Sequence, residues 1–234
     1  MAAIFESIGF DADDTLWHNL TLFNRTEERF ARLLSRYHTP EWISQRLMAT
    51  EARNLEIFGY GVKGFTLSMI ETAIELTEGR VQGLEIQQII EFSKQMLAEP
   101  VQLLEYAEEA VSGLARTHRL MLVTKGDLFD QETKLARSGL ADYFEAVEIV
   151  TEKNTETYQR ILHKHSIDPG RFLMVGNSLK SDVFPVLAIG GRAVHVPYHS
   201  TWEHETVSEP PPNGADYAEL EHLGKLRRWL RSIV

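Results

Sequence analysis

The chain has 234 residues, 43% of them hydrophobic and 25% charged, a composition that suits one large globular domain or two small ones. A formal charge of -10 speaks against a nucleic-acid groove, which needs concentrated Lys and Arg, and the absence of cysteine excludes disulfides, thiolate zinc sites and cysteine nucleophiles. No stretch approaches the roughly 18 apolar residues of a spanning helix, and the opening MAAIFESIGF lacks the basic region of a signal peptide, so a soluble, cytoplasmic protein without nucleic-acid or membrane partners is expected.

In chain order, residues 4–10 form the first strand candidate and run into the acidic segment FDADDTLW. From there to about Pro100 only helical periodicity is present, in stretches 20–37, 41–58 (opened by Pro40), 65–78 and 84–98. Between the second and third lies FGYGVKGF, residues 58–65, read as a loop whose two glycine turns project Tyr60 and Lys63. Residues 99–106 carry the chain back, and a helix is expected at 108–117. Strands at 120–124, 146–150, 172–175 and 193–196 then alternate with helices at 128–138, 155–165 and 179–189. EPPPN, residues 209–213, reads as a stiff surface loop, and Lys225, Arg227, Arg228 and Arg231 lie on the solvated face of a final helix. The fold expected is α/β: a Rossmann-like, mostly parallel sheet with helices on both faces, built from residues 1–17 and 100–234 and interrupted by an all-α four-helix cap at 18–99.

Chemistry gathers at the ends of the strands. Asp11, Asp13 and Asp14 fall within four residues directly after the first strand, where mutual repulsion calls for a cation or a capping duty. Thr124, Lys125, Gly126 and Asp127 follow the second strand, with Asp127 placed to cap the next helix. Lys153 follows the third strand, ahead of Asn154 as a helix cap. VGNSLKSD follows the fourth, with Asn177, Ser178 as a cap, and Asp182. All four lie at the carboxyl ends of predicted parallel strands, where open α/β sheets place their ligand crevice.

DADDT resembles the DxDx(T/V) signature of the haloacid dehalogenase-like phosphohydrolase superfamily, and the other three segments resemble its remaining motifs in order, over essentially the whole chain. The resemblance implies an enzyme, a phosphatase in which Asp11 is the nucleophile and Asp13 the general acid and base. Thr124, with the amides of Lys125 and Gly126, would hold the phosphoryl oxygens, and Lys153 would neutralise Asp11 and the transferring group. The implied cofactor is Mg2+, bound by Asp11, the main-chain carbonyl of Asp13, and Asn177 or Asp182. The implied partner is a small phosphorylated metabolite, and the chain is expected as a monomer or homodimer. The cap would contact the substrate beyond its phosphate, with Lys63 a candidate and Trp17, His18 and Asn19 at the hinge. Two departures stand out, Lys125 where the family commonly has Asn and Asn177 where Asp is frequent, beside Asn154 where many relatives carry Pro. An amide oxygen ligates magnesium without bringing charge.

The alternatives are a phosphosugar mutase of the same superfamily, a haloacid dehalogenase, which Asp13 disfavours, and a non-catalytic binding protein on this fold. His195, His199 and His204 with Glu203 and Glu205 invite a zinc site, but their spacing fits no standard ligand pattern. Stacking or capping by Tyr198 and Trp202 is the expected use of that segment.

Overall fold

Strand β1 (Ser7–Phe10) is buried along its whole length and lies at the middle of a six-stranded sheet. The computed structural model describes residues 4–208 and 216–233, so the EPPPN segment lies outside the described residues. The other strands are β2 (Arg119–Lys125), β3 (Ala146–Val150), β4 (Phe172–Gly176), β5 (Arg192–His195) and β6 (Tyr217–Glu219). Their order is β3-β2-β1-β4-β5-β6, and each of the five pairings is parallel.

Alternation along the strands explains why this sheet is covered on both faces. Leu120 and Leu122 of β2 join Ile8, Phe10, Leu173 and Val175 in one apolar cluster, which α5 (Ala107–Leu114), α6 (Leu128–Ser138) and α9 (Leu226–Ser232) help to build. Met121 and Val123 point the other way and pack with Phe172, Met174, Tyr158, Ile161 and Val186, the last three from α7 (Thr155–Lys164) and α8 (Phe184–Ala188). Such strands read as continuous apolar runs, and five of the six were legible for that reason. β6 was not: its three residues, YAE, are partly exposed at the sheet edge and owe their strand state to pairing with β5.

The chain divides into two units. One holds residues up to His18, Val101–Lys125 and Gln131 onward; the other holds Asn19–Pro100 with Gly126–Asp130. The second is built on α1 (Leu20–Leu34), α2 (Pro40–Phe58), α3 (Val62–Leu76) and α4 (Gly83–Ala98), around an apolar core that includes Phe30, Leu34, Ile43, Leu47, Phe65, Met69 and Ile89. Thr39 accepts a hydrogen bond from Trp42 N, and Pro40 at the first helical position needs no partner for a missing N–H. Among the described residues no helix is long and apolar enough to cross a membrane.

Two helices depart from expectation. α3 begins at Val62, so Lys63 sits in its first turn and not in a loop. Only Gly59 (φ 69°) and Gly61 (φ 109°) make the turn, whereas Gly64 is helical and a Cβ there would come within 2.8 Å of the Gly59 carbonyl oxygen. The helix expected at 179–189 divides into a π turn, Leu179–Val183, and α8. Pro185 has no N–H to offer Ser181 four residues back, and the Ser181 carbonyl accepts instead from the Tyr158 hydroxyl at 3.1 Å.

Candidate active site

The sheet reverses its direction of growth at β1: the chain adds β2 and β3 on one side, then β4, β5 and β6 on the other. A crevice opens at the carboxyl ends of strands at such a switch point, and Asp11 directly follows β1. Its amide donates to Val175 O at 2.9 Å, which extends the β1–β4 ladder and fixes the residue's position. The chain then turns sharply, with Leu16 N donating to Ala12 O at 2.8 Å and Asp14 in the left-handed region at φ 62°. Asp tolerates that region better than most residues, and strain of this kind concentrates at functional sites.

Lys153 binds two carboxylates. Its ammonium donates to Asp11 Oδ1 and, at 2.8 Å, to Asp182 Oδ1. All three groups are buried, with relative exposures of 3% for Lys153, 6% for Asp11 and 1% for Asp182. Burial, followed by the attraction of Lys153 and the repulsion of Asp182, leaves the Asp11 carboxyl pushed up to about 7. Burial works against the Lys153 ammonium too, but Asp11 and Asp182 overcome it and hold the lysine charged, above its ordinary range. Asp182 Oδ2 accepts from Ser178 N at 3.0 Å, and Gly176 leaves the room for it: a Cβ there would lie 2.2 Å from that oxygen.

Thr15 stands between β1 and β4 residues. Its hydroxyl lies 2.9 Å from Asp11 Oδ2 and 3.2 Å from Asn177 Oδ1, so one proton faces two acceptors. With two buried carboxylates against one buried ammonium, the site has a surplus of oxygen and of negative charge. Hard oxygens in surplus suit magnesium, and the residues therefore fit the ion that the sequence implies. Among the described residues no group of three or more His, Cys, Asp or Glu has metal-holding geometry. The oxygen set here holds only two carboxylates, joined by the Asn177 amide.

Asp13 is fixed separately. Trp17 Nε1 donates to its Oδ1 at 2.7 Å, Gln131 Nε2 to its Oδ2 at 3.0 Å, and Lys134 Nζ to both oxygens at 2.7 and 2.9 Å. Trp17, expected at a hinge, is buried in the sheet's apolar cluster. The same Gln131 amide donates to Thr124 Oγ1 at 2.9 Å and to Lys125 O at 2.6 Å, which joins Thr124 to Asp13. Asp127 caps α6 through Asp130 N at 3.1 Å, and Asn154 caps α7 through Thr157 N at 2.9 Å.

The match to a family model for haloacid dehalogenase-like hydrolases spans residues 5–189, from the first strand through the turn that carries Asp182. The chain belongs to this family of hydrolases. A haloacid dehalogenase-like family hydrolase from Xanthomonas campestris is 43% identical, with a TM-score of 0.87 over 98% of this chain and 92% of that one. The N-acylneuraminate-9-phosphatase of Rattus norvegicus is 25% identical over 198 residues, 80% of each chain. The HAD-hydrolase YfnB from Bacillus subtilis, solved with magnesium, shares the fold at 18% identity and a TM-score of 0.65, over 97% of this chain and 98% of that one. Haloacid dehalogenases share it too, at 20% identity or less.

Within this hydrolase the two departures from the family pattern have visible partners. The Lys125 ammonium pairs with Glu205 and lies 3.0 Å from Ser181 Oγ and 3.4 Å from Glu152 Oε1. Glu205 Oε2 also accepts from Ser178 at 2.5 Å and Ser181 at 2.6 Å. Burial opposes the Glu205 charge, but Lys125 and the two hydroxyls hold its carboxyl below the usual range. Glu205 therefore ties the segment after β5 to two of the motif turns. His195 Nε2 lies 3.0 Å from Asn177 O and Nδ1 3.0 Å from Glu219 Oε2, so its ring braces the end of β4. His18 Nδ1 and the Tyr198 hydroxyl are 2.7 Å apart, and Tyr198 meets His199 edge-on.

Gly126 and Lys63 belong to the other unit. Gly126 adopts φ 137°, which glycine alone tolerates easily. Lys63 donates to both Asp127 oxygens at 2.9 Å, so its charge is met by a carboxylate in the same unit. Gln131 and Lys134 escaped the sequence reading, and Glu205, considered there only as a zinc ligand, pairs with Lys125, Ser178 and Ser181 instead. Gln131 and Lys134, three residues apart on a helix after a motif, look like an ordinary solvated face.

Proposed function

We propose that this hydrolase is a magnesium-dependent phosphomonoesterase that acts on a small phosphorylated metabolite through an aspartyl-phosphate on Asp11. The observation that carries this reading is the Asp13 carboxylate, two residues beyond Asp11 and held by Trp17, Gln131 and Lys134. Displacing halide from carbon needs an attacking carboxylate, whereas expelling an alkoxide from phosphorus also needs a proton donor, and Asp13 supplies one. The 25% identity to a rat phosphatase supports the same side, and the magnesium in YfnB supports the metal.

In the first half-reaction an Asp11 carboxylate oxygen bonds to phosphorus while the bond to the leaving oxygen breaks. That oxygen keeps the electron pair and takes a proton from Asp13. In the second, water bonds to phosphorus, gives a proton to Asp13 and displaces Asp11, which releases inorganic phosphate and restores both residues. Thr124 and the amides of Lys125 and Gly126 hold the phosphoryl oxygens, and Lys153 favours the ionised form of Asp11 against its burial. Magnesium, when held by Asp11, the Asp13 carbonyl, and Asn177 or Asp182, supplies positive charge to those oxygens.

The test is phosphate release from p-nitrophenyl phosphate with magnesium and with EDTA. Turnover is expected only with the metal, and Asp11→Asn is expected to lower it by at least about 10³-fold with the circular dichroism spectrum and melting transition kept. Undiminished turnover after that substitution would remove Asp11 as the nucleophile; equal rates in EDTA would remove the metal.

A further inference from the structure

A carboxylate that gives up a proton in one half-reaction and takes one in the next must stay in place through both. Asp13 leaves the sheet in a strained turn with its side chain only partly buried, and nothing in its own segment except Trp17 restrains it. The remaining restraint comes from α6, well over a hundred residues later. Gln131 and Lys134 are three residues apart, so they share a face of that helix and reach the carboxylate together.

We infer that Lys134, seconded by Gln131, is the positioning residue that aims Asp13 at the leaving-group oxygen, an assignment that rests on the phosphomonoesterase reading. Lys134 spans both Asp13 oxygens at 2.7 and 2.9 Å, and so fixes the plane of the carboxylate and not merely its distance. Gln131 ties that plane to the phosphate-binding end of β2, because one amide nitrogen serves Asp13, Thr124 Oγ1 and Lys125 O. The spacing between proton donor and phosphoryl group is thereby set through a single side chain.

A second observation supports a duty beyond packing. Gln131 is 2% exposed, and its Oε1 has no hydrogen-bond partner. A buried acceptor left unpaired costs about 1–3 kcal/mol, and turning the amide over would press its oxygen against the Asp13 carboxylate and the Lys125 carbonyl. The residue holds an arrangement that helix stability alone disfavours. The arrangement makes sense when the nitrogen is needed where it is.

The step concerned is the first proton transfer: Asp13 gives its proton to the leaving oxygen as that oxygen takes the electron pair of the breaking P–O bond. An alkyl alcohol leaves poorly without that proton, whereas p-nitrophenol leaves well without it, so misplacing Asp13 harms the two unequally. The experiment measures kcat and KM for p-nitrophenyl, phenyl and alkyl phosphates at saturating magnesium, for the unsubstituted protein, Lys134→Met and Lys134→Arg. Lys134→Met is expected to lower kcat/KM by about 10²-fold for the alkyl ester and less than about tenfold for the p-nitrophenyl ester. KM should move little, and Lys134→Arg should recover part of the loss.

Equal losses across all leaving groups would overturn the assignment, since a residue that only binds phosphate or holds the fold affects every ester alike. Unchanged rates would overturn it as well. Should Lys134→Met fail to fold, Gln131→Met carries the same test: a steeper dependence on leaving group supports the inference and a parallel loss overturns it. The unsubstituted protein decides the underlying reading separately. If it turns over none of the esters, the phosphomonoesterase reading fails and this assignment falls with it; normal turnover with leaving-group-independent losses sinks the Lys134 role alone.

Discussion

Carboxylates withdraw at least partly from water in both units of this chain, and the charges beside them differ in sign. In the α/β unit Asp11 and Asp182 share the fixed positive charge of Lys153, and Asp13 faces Lys134. In the helical unit Glu51 of α2 is half-buried, and the neighbouring charge that acts on it is Glu27 of α1, of like sign. Burial first, and then that repulsion, push its carboxyl up to about 8. In one unit Lys153 pulls against the burial of Asp11, whose carboxyl burial still leaves at about 7; in the other no lysine offsets the burial of Glu51, and a like charge adds to it. A site meant to attack phosphorus needs a cation beside its carboxyl, because a protonated carboxyl is no nucleophile. A helix bundle that only has to pack tolerates an acid without such a cation.

The largest effect should come from removing the shared cation. Lys153→Met leaves Asp11 and Asp182 facing each other without a counter-charge, and the loss of one partner from a buried ionic group costs about 3–5 kcal/mol. Urea denaturation at pH 7 is expected to show a loss of that size, part of which millimolar magnesium restores by linkage. A loss below about 1 kcal/mol would mean that Lys153 offsets little of the cost of burying these acids, and the contrast between the units would vanish.

Glu51 breaks the comparison from the other side. Its carboxyl binds a proton more tightly in the folded chain, near 8, than at its ordinary value of 4.5. The folded state therefore holds more protons than the unfolded state between those values. The stability this lends is complete below about 4.5 and is lost as the pH rises through 8. Glu51→Gln should be nearly neutral at pH 4 and stabilising by about 1–3 kcal/mol at pH 9. Differences in melting transition between parent and variant, taken across that range, isolate this group from the other carboxylates. A gap that stays constant with pH would show that Glu51 is charged in the fold.

The four motif segments could be marked because each is a short contiguous run at the end of an apolar strand, and the roles expected of them came from the resemblance to the family. The caps Asp127, Asn154 and Ser178 were legible for a similar reason: the bond each makes spans three residues. What escaped depends on contacts that sequence proximity does not encode. Lys134 reaches Asp13 across 121 residues, and Glu205 reaches Lys125 across 80. Gly64, expected inside a loop, is helical and leaves room for the close passage of the Gly59 carbonyl. Pro185 did carry a readable sign of a break in its helix, one turn after Ser181.

The smallest expected effect tests the charge balance of the site itself. Asn177 brings an oxygen near Asp11 without a negative charge, and the Thr15 hydroxyl has one proton to divide between the two. Asn177→Asp keeps the shape and adds the charge, so the surplus that favours a divalent cation grows by one. Magnesium affinity, read by isothermal titration, is expected to rise about tenfold, equivalent to about 1.4 kcal/mol. Without metal the added charge should lower stability, because a third carboxylate then crowds Asp11 and Asp182 while Lys153 remains the one buried ammonium bridging those two. The sign of the effect thus reverses with the ion. If the variant binds magnesium no better yet is destabilised without it, position 177 lies outside the metal's reach and Asp182 is the ligand from that turn.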